Sequence, residues 1–312
     1  MAKSRKYQRS WRKSARKTNT RKRKQRGGGK DEKLALIALI EAARKGDAAK
    51  VRTLLLANPD IDVNQAGSNG NTALSGAAEN GRTKVVELLL ANPAIDVNQE
   101  DWDGETALYR AAWNGHTAVA ELLLANPAID VNKADRYGWT ALQKAAYNGH
   151  TAVAELLLAN PAIDVNTSNS DGGWTALQMA AYYGHTAVVE LLLANPAIDV
   201  NKSNRYVCTA LQLAAYYGHT AVAELLLANP GINPNQANNN GETPLQVAEL
   251  RGHAAIVNAI NNYALNKVSE TAIRNSETAY KDDDTPLSAT NKVLGNKDLA
   301  GVIGSYLGGQ RK

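Results

Sequence analysis

The stretch DRYGWTALQKAAYNGHTAVAELLLANPAIDVN, residues 135–166, is one copy of a unit that recurs along this chain of 312 residues. A threonine marks the phase of each copy, and the successive spacings between these threonines are 34, 34, 35, 34 and 34 residues. A period of this length predicts a solenoid of stacked supersecondary units. The marker residues are Thr72, Thr106, Thr140, Thr175, Thr209 and Thr243.

Each unit is predicted to contain two short helices followed by an extended finger. In the quoted copy, Thr140 and Gln143 have the spacing of a capping box, so the first helix is expected to begin there. Gly149 is expected to end that helix, Thr151 to cap the second one, and the proline after Asn160 to stop it. The same capping pair recurs as Thr175 with Gln178, Thr209 with Gln212, and Thr243 with Gln246.

These residues resemble the ankyrin repeat, whose pattern is approximately D-x-x-G-x-T-P-L-H-x-A-A-x-x-G-H-x-x-V-x-x-L-L, followed by a turn and D-V-N. Residues 31–263 carry this pattern, with atypical first and last copies that are expected to cap the array. Alanine replaces the proline except at Pro244, and Val207 replaces the finger glycine in one copy. The resemblance implies an all-α repeat solenoid of about seven helix-turn-helix-finger units.

The charge of the chain is unevenly distributed. Residues 1–30 hold 14 Lys or Arg and no acidic residue, whereas the remainder holds 21 basic and 30 acidic residues. We therefore expect a disordered basic tail over residues 1–30 and a repeat domain over 31–265. A polar linker is expected over 266–292 and a short amphipathic helix over 293–312.

Composition also indicates the compartment. The chain has one cysteine, no apolar run near the ~18 residues that span a bilayer, and no apolar leader segment. We expect an intracellular protein, nuclear or cytoplasmic, without a membrane span.

The tail and the carboxyl terminus each leave alternatives open. The densest cluster of the tail resembles a nuclear-localisation segment, but such a cluster would also bind nucleic acid through counterion release. Residues 293–307 resemble the opening helix of an F-box, which would make the protein a ubiquitin-ligase adaptor. The basic cluster consists of Arg21, Lys22, Arg23, Lys24 and Arg26.

The copies agree in their framework and differ mainly beside the finger glycine and before the Gly-His pair. In the ankyrin fold these positions line the concave face and the finger tips. Tyr and Trp offer large, stiff contact area with a polar group, so their concentration here predicts a protein-binding surface. Its expected members, 12 of the 17 aromatic residues, are Trp102, Tyr109, Trp113, Tyr137, Trp139, Tyr147, Trp174, Tyr182, Tyr183, Tyr206, Tyr216 and Tyr217. Several of these rings have an alternative role, which is to stack on neighbouring fingers and stiffen the array.

All five histidines occupy the Gly-His position of successive copies. Stacked layers would separate equivalent atoms by ~10 Å, beyond the reach of one metal ion, so we expect structural hydrogen bonds and no metal site. No phosphate-binding glycine loop or catalytic motif is recognisable, and we expect a monomeric, non-catalytic protein without a cofactor.

Asparagines follow the Asp-Val pair of most copies, as in Asn98 and Asn132. We expect them to brace the finger turn. The alternative is that they are modified, since the surrounding strings resemble substrates of an asparaginyl hydroxylase that acts on ankyrin proteins.

Overall fold

The computed structural model describes residues 28–68 and 70–281, and the regular structure of these residues is helical apart from an isolated antiparallel bridge between Ala134 and Thr140. The all-α repeat solenoid is confirmed. None of the helices in the described ranges is long and apolar enough to cross a membrane. The helices are α1 (Gly28–Lys45), α2 (Ala48–Ala57), α3 (Ala73–Glu79), α4 (Thr83–Leu90), α5 (Ala107–Trp113), α6 (Thr117–Leu124), α7 (Ala141–Asn148), α8 (Thr151–Leu158), α9 (Ala176–Tyr183), α10 (Thr186–Leu193), α11 (Ala210–Tyr217), α12 (Thr220–Ala228), α13 (Pro244–Arg251) and α14 (Ala254–Lys281).

The helices belong to two compact units, one ending at Ile198 and the other beginning at Asp199. In the first unit, the first helices of successive repeats (α1, α3, α5, α7 and α9) pack on one another, and the second helices (α2, α4, α6, α8 and α10) form a parallel series of contacts. In the second unit, α11 contacts α13 and α12 contacts α14. Each unit therefore buries its core between two layers of helices.

The predicted capping boxes are present. The Thr140 hydroxyl accepts from the backbone N–H of Gln143, and the Gln143 side chain accepts from the backbone N–H of Thr140 at 2.8 Å. The Gln143 amide also donates to the carbonyls of Thr167 and Trp174 in the next finger, at 2.9 and 2.7 Å. One side chain therefore both starts a helix and holds the following repeat. Equivalent boxes begin α9, α11 and α13.

The helix ends follow the sequence with one exception. Gly149 ends α7 in the left-handed conformation, at φ 71°, as expected. The prediction that Thr151 caps α8 is wrong, because His150 is the capping residue and makes no side-chain cap bond. The Thr151 hydroxyl donates to the Gly149 carbonyl instead, at 3.4 Å.

The core consists of leucines, valines and small residues. Leu142 of α7 and Leu157 of α8 are almost completely buried, and so are the alanines Ala145 and Ala146. Alanine at these positions lets the first helices of neighbouring repeats approach closely. Val207 occupies the position of a finger glycine and adopts a φ of 57°, a conformation that a β-branched residue rarely adopts.

The asparagines brace the fingers, as expected. The Asn132 side chain donates to the Ala162 carbonyl at 2.6 Å and accepts from the Asp164 N–H at 2.8 Å. Both partners lie in the turn of the following repeat. The same pair of bonds is made by Asn64, Asn98 and Asn201.

The histidines also connect repeats, which confirms their structural role. The Nε2 atoms of four of the five histidines lie within hydrogen-bonding distance of a main-chain carbonyl oxygen 37 or 38 residues earlier. The pairs are His116 with Glu79 at 2.9 Å, His150 with Trp113 at 3.1 Å, His185 with Tyr147 at 3.0 Å, and His253 with Tyr216 at 3.2 Å.

The two ends of the array differ from its internal repeats. In α1, Leu34 and Ile37 are exposed while Leu39 is buried, because only one face of this first helix meets another helix. The last helix, α14, continues to Lys281 and so extends into the segment interpreted as a linker. Ile260 and Val268 of this helix are buried. The basic cluster of the tail and the F-box-like segment lie outside the described residues.

Candidate protein-binding surface

Three aromatic rings form a row across the first unit. Trp113, Tyr147 and Tyr183 lie in the last turns of α5, α7 and α9. The ring centroids of Trp113 and Tyr147 are 5.7 Å apart with planes inclined by 17°, and those of Tyr147 and Tyr183 are 4.6 Å apart. Trp113 and Tyr183 remain 39% and 40% exposed. We call these three residues the ring row.

A second pair of rings borders the row. The ring centroids of Tyr182 and Tyr183 are 4.7 Å apart, and the Trp174 ring meets the Tyr182 ring edge-on with centroids 5.8 Å apart. The Trp174 ring also covers Gly172 of its own finger, where an added Cβ would lie 2.7 Å from the indole nitrogen. Trp174 therefore packs on its own finger as well as bordering the surface, whereas the alternative role considered from the sequence was stacking on neighbouring fingers.

Lys144 of α7 lies among four rings. Its Nζ atom is 4.0 Å from the ring centroid of Trp139, 4.7 Å from that of Trp113, 5.6 Å from that of Tyr109 and 5.9 Å from that of Tyr147. The residue is only 7% exposed, and burial lowers the pKa of its ammonium despite the charges of nearby acids. Cation–π attraction partly offsets the cost of burying this charge.

Tyr109 is not part of the exposed surface. It is 3% exposed, and its hydroxyl donates to Oδ2 of Asp135 at 2.8 Å. Burial and the bond to Asp135 raise the pKa of this phenol well above its usual range. The expectation that Tyr109 contacts a partner is therefore corrected: it supports the surface from below.

Asp135 is a residue that the sequence analysis missed. Its Oδ1 accepts from the backbone N–H groups of Tyr137 and Trp139, at 2.8 and 2.9 Å, while Oδ2 holds Tyr109. It therefore orients two of the four rings around Lys144. The available signal was the acidic residue that begins the finger.

The finger position of Asp135 carries aspartate in some repeats and asparagine in others. Oδ2 of Asp101 accepts from the guanidinium of Arg110 at 2.8 Å. The equivalent oxygen of Asp135 accepts from the Tyr109 hydroxyl. Asn169 and Asn204 replace aspartate at this position, and their buried Nδ2 atoms have no hydrogen-bond partner in the described structure.

An ionic cluster borders one edge of the ring row. Arg110 pairs with Asp101, Glu79 and Glu105, and all four residues are at least partly shielded from solvent. Burial raises the pKa of Glu105, although Arg110 opposes the shift. On the neighbouring finger, Arg136 pairs with Asp103 at 3.6 Å.

The other expected surface residues lie on fingers or in the second unit. Trp102 is 61% exposed and lies over Gly70 of the preceding finger, and Tyr137 is exposed on its own finger. In the second unit, Tyr206 is exposed, and Tyr216 and Tyr217 have centroids 4.8 Å apart. The guanidinium of Arg251 lies 3.5 Å from the Tyr216 ring centroid.

Comparisons with known proteins agree with this architecture. The ankyrin domain of Bcl-3, described as a unique member of the IkappaB protein family, superposes with a TM-score of 0.61 at 24% identity and covers 70% of this chain and 97% of its own. The ankyrin repeat protein EF0377 gives a TM-score of 0.53 at 25% identity, with 72% and 96% covered. No curated protein sequence matches the chain significantly.

The family comparison is more extensive. The family model for ankyrin repeats, in three copies, matches residues 39–135, 128–204 and 202–271. These matches together span about three quarters of the 312 residues. The chain therefore belongs to the ankyrin repeat family.

Proposed function

We propose that this chain is a non-catalytic scaffold that, as a monomer, binds another protein through its aromatic surface. Ankyrin repeats generally mediate protein–protein interactions, and the family is typically non-catalytic. The surface of the first unit centres on the ring row, with Tyr182 and Trp174 beside it. The exposed tyrosines of the second unit form a separate candidate surface.

The ring row is the observation that carries this proposal. Three successive repeats place a Trp or Tyr so that the rings touch, yet two of the three rings keep about two fifths of their area in water. An aromatic side chain has ~150–250 Å² to bury, so covering the exposed part of each would contribute about 2 kcal/mol at ~25 cal/mol per Å². Stiff, clustered aromatic residues of this kind are typical binding hot spots.

The basic tail supports a second candidate function, nuclear targeting or contact with nucleic acid. Its 14 basic residues without an acidic one would bind phosphates by counterion release. This function would be independent of the ring row, so it would persist when the rings are removed and would weaken steeply with salt. The ligase-adaptor alternative has no support among the described residues.

Affinity capture with three forms of the chain tests the proposal. The ring variant carries Trp113→Ala with Tyr183→Ala, the tail variant lacks residues 1–26, and the control carries Leu56→Ala. The control removes an exposed apolar side chain of α2, which belongs to the layer of second helices, whereas the ring row lies on first helices. A bound protein that survives high salt and is lost only with the ring variant supports the scaffold. Recovery that depends on the tail and not on the rings would refute it.

A further inference from the structure

Lys144 has an ammonium group without an acceptor. The hydrogen bonds and ion pairs of the described residues include none from its Nζ atom, and the centroids of four rings lie 4.0 to 5.9 Å from that atom. The side chain is not completely enclosed, since Lys144 keeps 7% of its surface exposed. The ammonium therefore lies among aromatic rings, with its N–H donors facing rings or solvent.

The nearest acids do not neutralise this charge. Asp135 accepts from the Tyr109 hydroxyl and from two backbone N–H groups, and Glu105 pairs with Arg110. Both carboxylates raise the pKa of Lys144 only through longer-range attraction, and burial, which lowers this pKa, has the larger effect. An additional anion beside Nζ would therefore stabilise the charged amine.

The fold does not require a cation at this position. The corresponding residue of the preceding repeat is Arg110, which pairs with three carboxylates. That of the next repeat is Met179, which is buried in the same first unit, and the second unit has Leu213 and Val247 there. An apolar side chain fills the site in these three later repeats. The lysine thus introduces a cost that packing alone does not explain.

We propose that Lys144 binds an aspartate or glutamate side chain of the partner protein, and that the ring row recognises an acidic peptide segment with apolar neighbours. The inference rests on the proposed function. A partner that covers the rings also removes water from Nζ, and a buried charge left unpaired is strongly destabilising. A carboxylate inserted between Trp113, Trp139 and Tyr147 supplies the missing acceptor, while adjacent apolar residues cover the rings.

Selection from a displayed random-peptide library against the full chain tests this proposal. Selected peptides should share Asp or Glu at one position beside an aromatic or aliphatic residue. Their affinity should fall roughly 30-fold or more for Lys144→Met, since truncating one partner of a buried charge pair costs that much or more. Lys84→Met, which removes an exposed lysine of α4, is the matched control and should change nothing.

A double-mutant cycle completes the test. Replacing the shared Asp or Glu of the peptide by its amide should cost the original chain as much as Lys144→Met does, and should cost the Met variant almost nothing further. Thermal unfolding of both lysine variants checks that they remain folded, as the methionine of the next repeat predicts.

The outcomes separate the two proposals. Peptides rich in Lys or Arg, peptides without an acidic residue, or equal binding by the Met variant would overturn the role of Lys144. If such peptides still need the rings, the scaffold remains and only its acidic specificity is lost. Peptides that bind the ring variant undiminished would contradict the proposed function itself, and a selection that yields no peptide dependent on Lys144 also counts against the inference.

Discussion

Two glycines at the same structural position should differ in their tolerance of alanine. Gly218 and Gly252 end α11 and α13 of the second unit with nearly the same left-handed backbone, at φ 79° and 74°. A Cβ on Gly218 would lie 2.6 Å from Cε1 and 2.8 Å from Nδ1 of His253. A Cβ on Gly252 would meet no atom within 4 Å in the described structure.

The expected costs follow from this geometry. At either site alanine incurs about 1–2 kcal/mol of left-handed strain, reduced by the ~0.4–1 kcal/mol gained from a more restricted unfolded chain. Gly252→Ala should therefore destabilise the protein by about 1 kcal/mol. Gly218→Ala must also displace His253, breaking its 3.2 Å contact with the Tyr216 carbonyl, which adds about 1–2 kcal/mol.

Urea unfolding monitored by far-UV circular dichroism, with hydrogen exchange of α11 and α13, measures this difference. The decisive control combines Gly218→Ala with His253→Ala. Removing the imidazole should eliminate the clash, so the double variant should lose less stability than the sum of its two single variants. Equal costs for the two glycine variants, or strict additivity of the double variant, would refute the conclusion that the imidazole decides which residue fits.

Three other predictions concern different parts of the chain. Asn132→Ala removes two inter-repeat hydrogen bonds, of 2.6 and 2.8 Å, and should lower the free energy of unfolding by about 2 kcal/mol. Chemical denaturation measures this loss. An unchanged midpoint would mean that the fingers do not depend on these bonds. Burial lowers the pKa of Lys144 in the folded chain, so the unfolded chain binds more protons as pH approaches 10.5, and the original chain should gain stability relative to Lys144→Met as pH rises towards that value. Parallel pH profiles of the two proteins would contradict this. Burial raises the pKa of Cys208, so its thiol should react with a disulfide reagent at pH 8 more slowly than free cysteine does; a faster reaction would show an activated thiolate.

The repeat period and the capping residues could be predicted from sequence because both depend on residues close together in the chain. Thr140 and Gln143 are three positions apart, and their reciprocal bonds form within one helical turn. The glycine after that helix likewise adopts the conformation that its lack of a Cβ predicts. The wrong prediction at Thr151 also has a local cause. Its hydroxyl donates to the carbonyl of Gly149, two residues earlier, and does not cap the helix.

The chemistry of the surface depends on contacts across repeats, and equivalence of position does not predict these contacts. Tyr109 and Gln143 occupy the same position of successive copies, yet the tyrosine donates to Asp135, 26 residues later, and the glutamine to carbonyls of the next finger. Which side chain faces outward depends on the offset between neighbouring layers.

The sequence by itself therefore determined the fold, the phase of its repeats and the concentration of aromatic residues at variable positions. Only the tertiary structure decided that Tyr109 is buried, that Trp113, Tyr147 and Tyr183 form a row, and that Lys144 lies among rings without an acceptor. The physical reason is that local backbone preferences act over a few residues, whereas these contacts join side chains from separate helices and fingers once packing has set their distance.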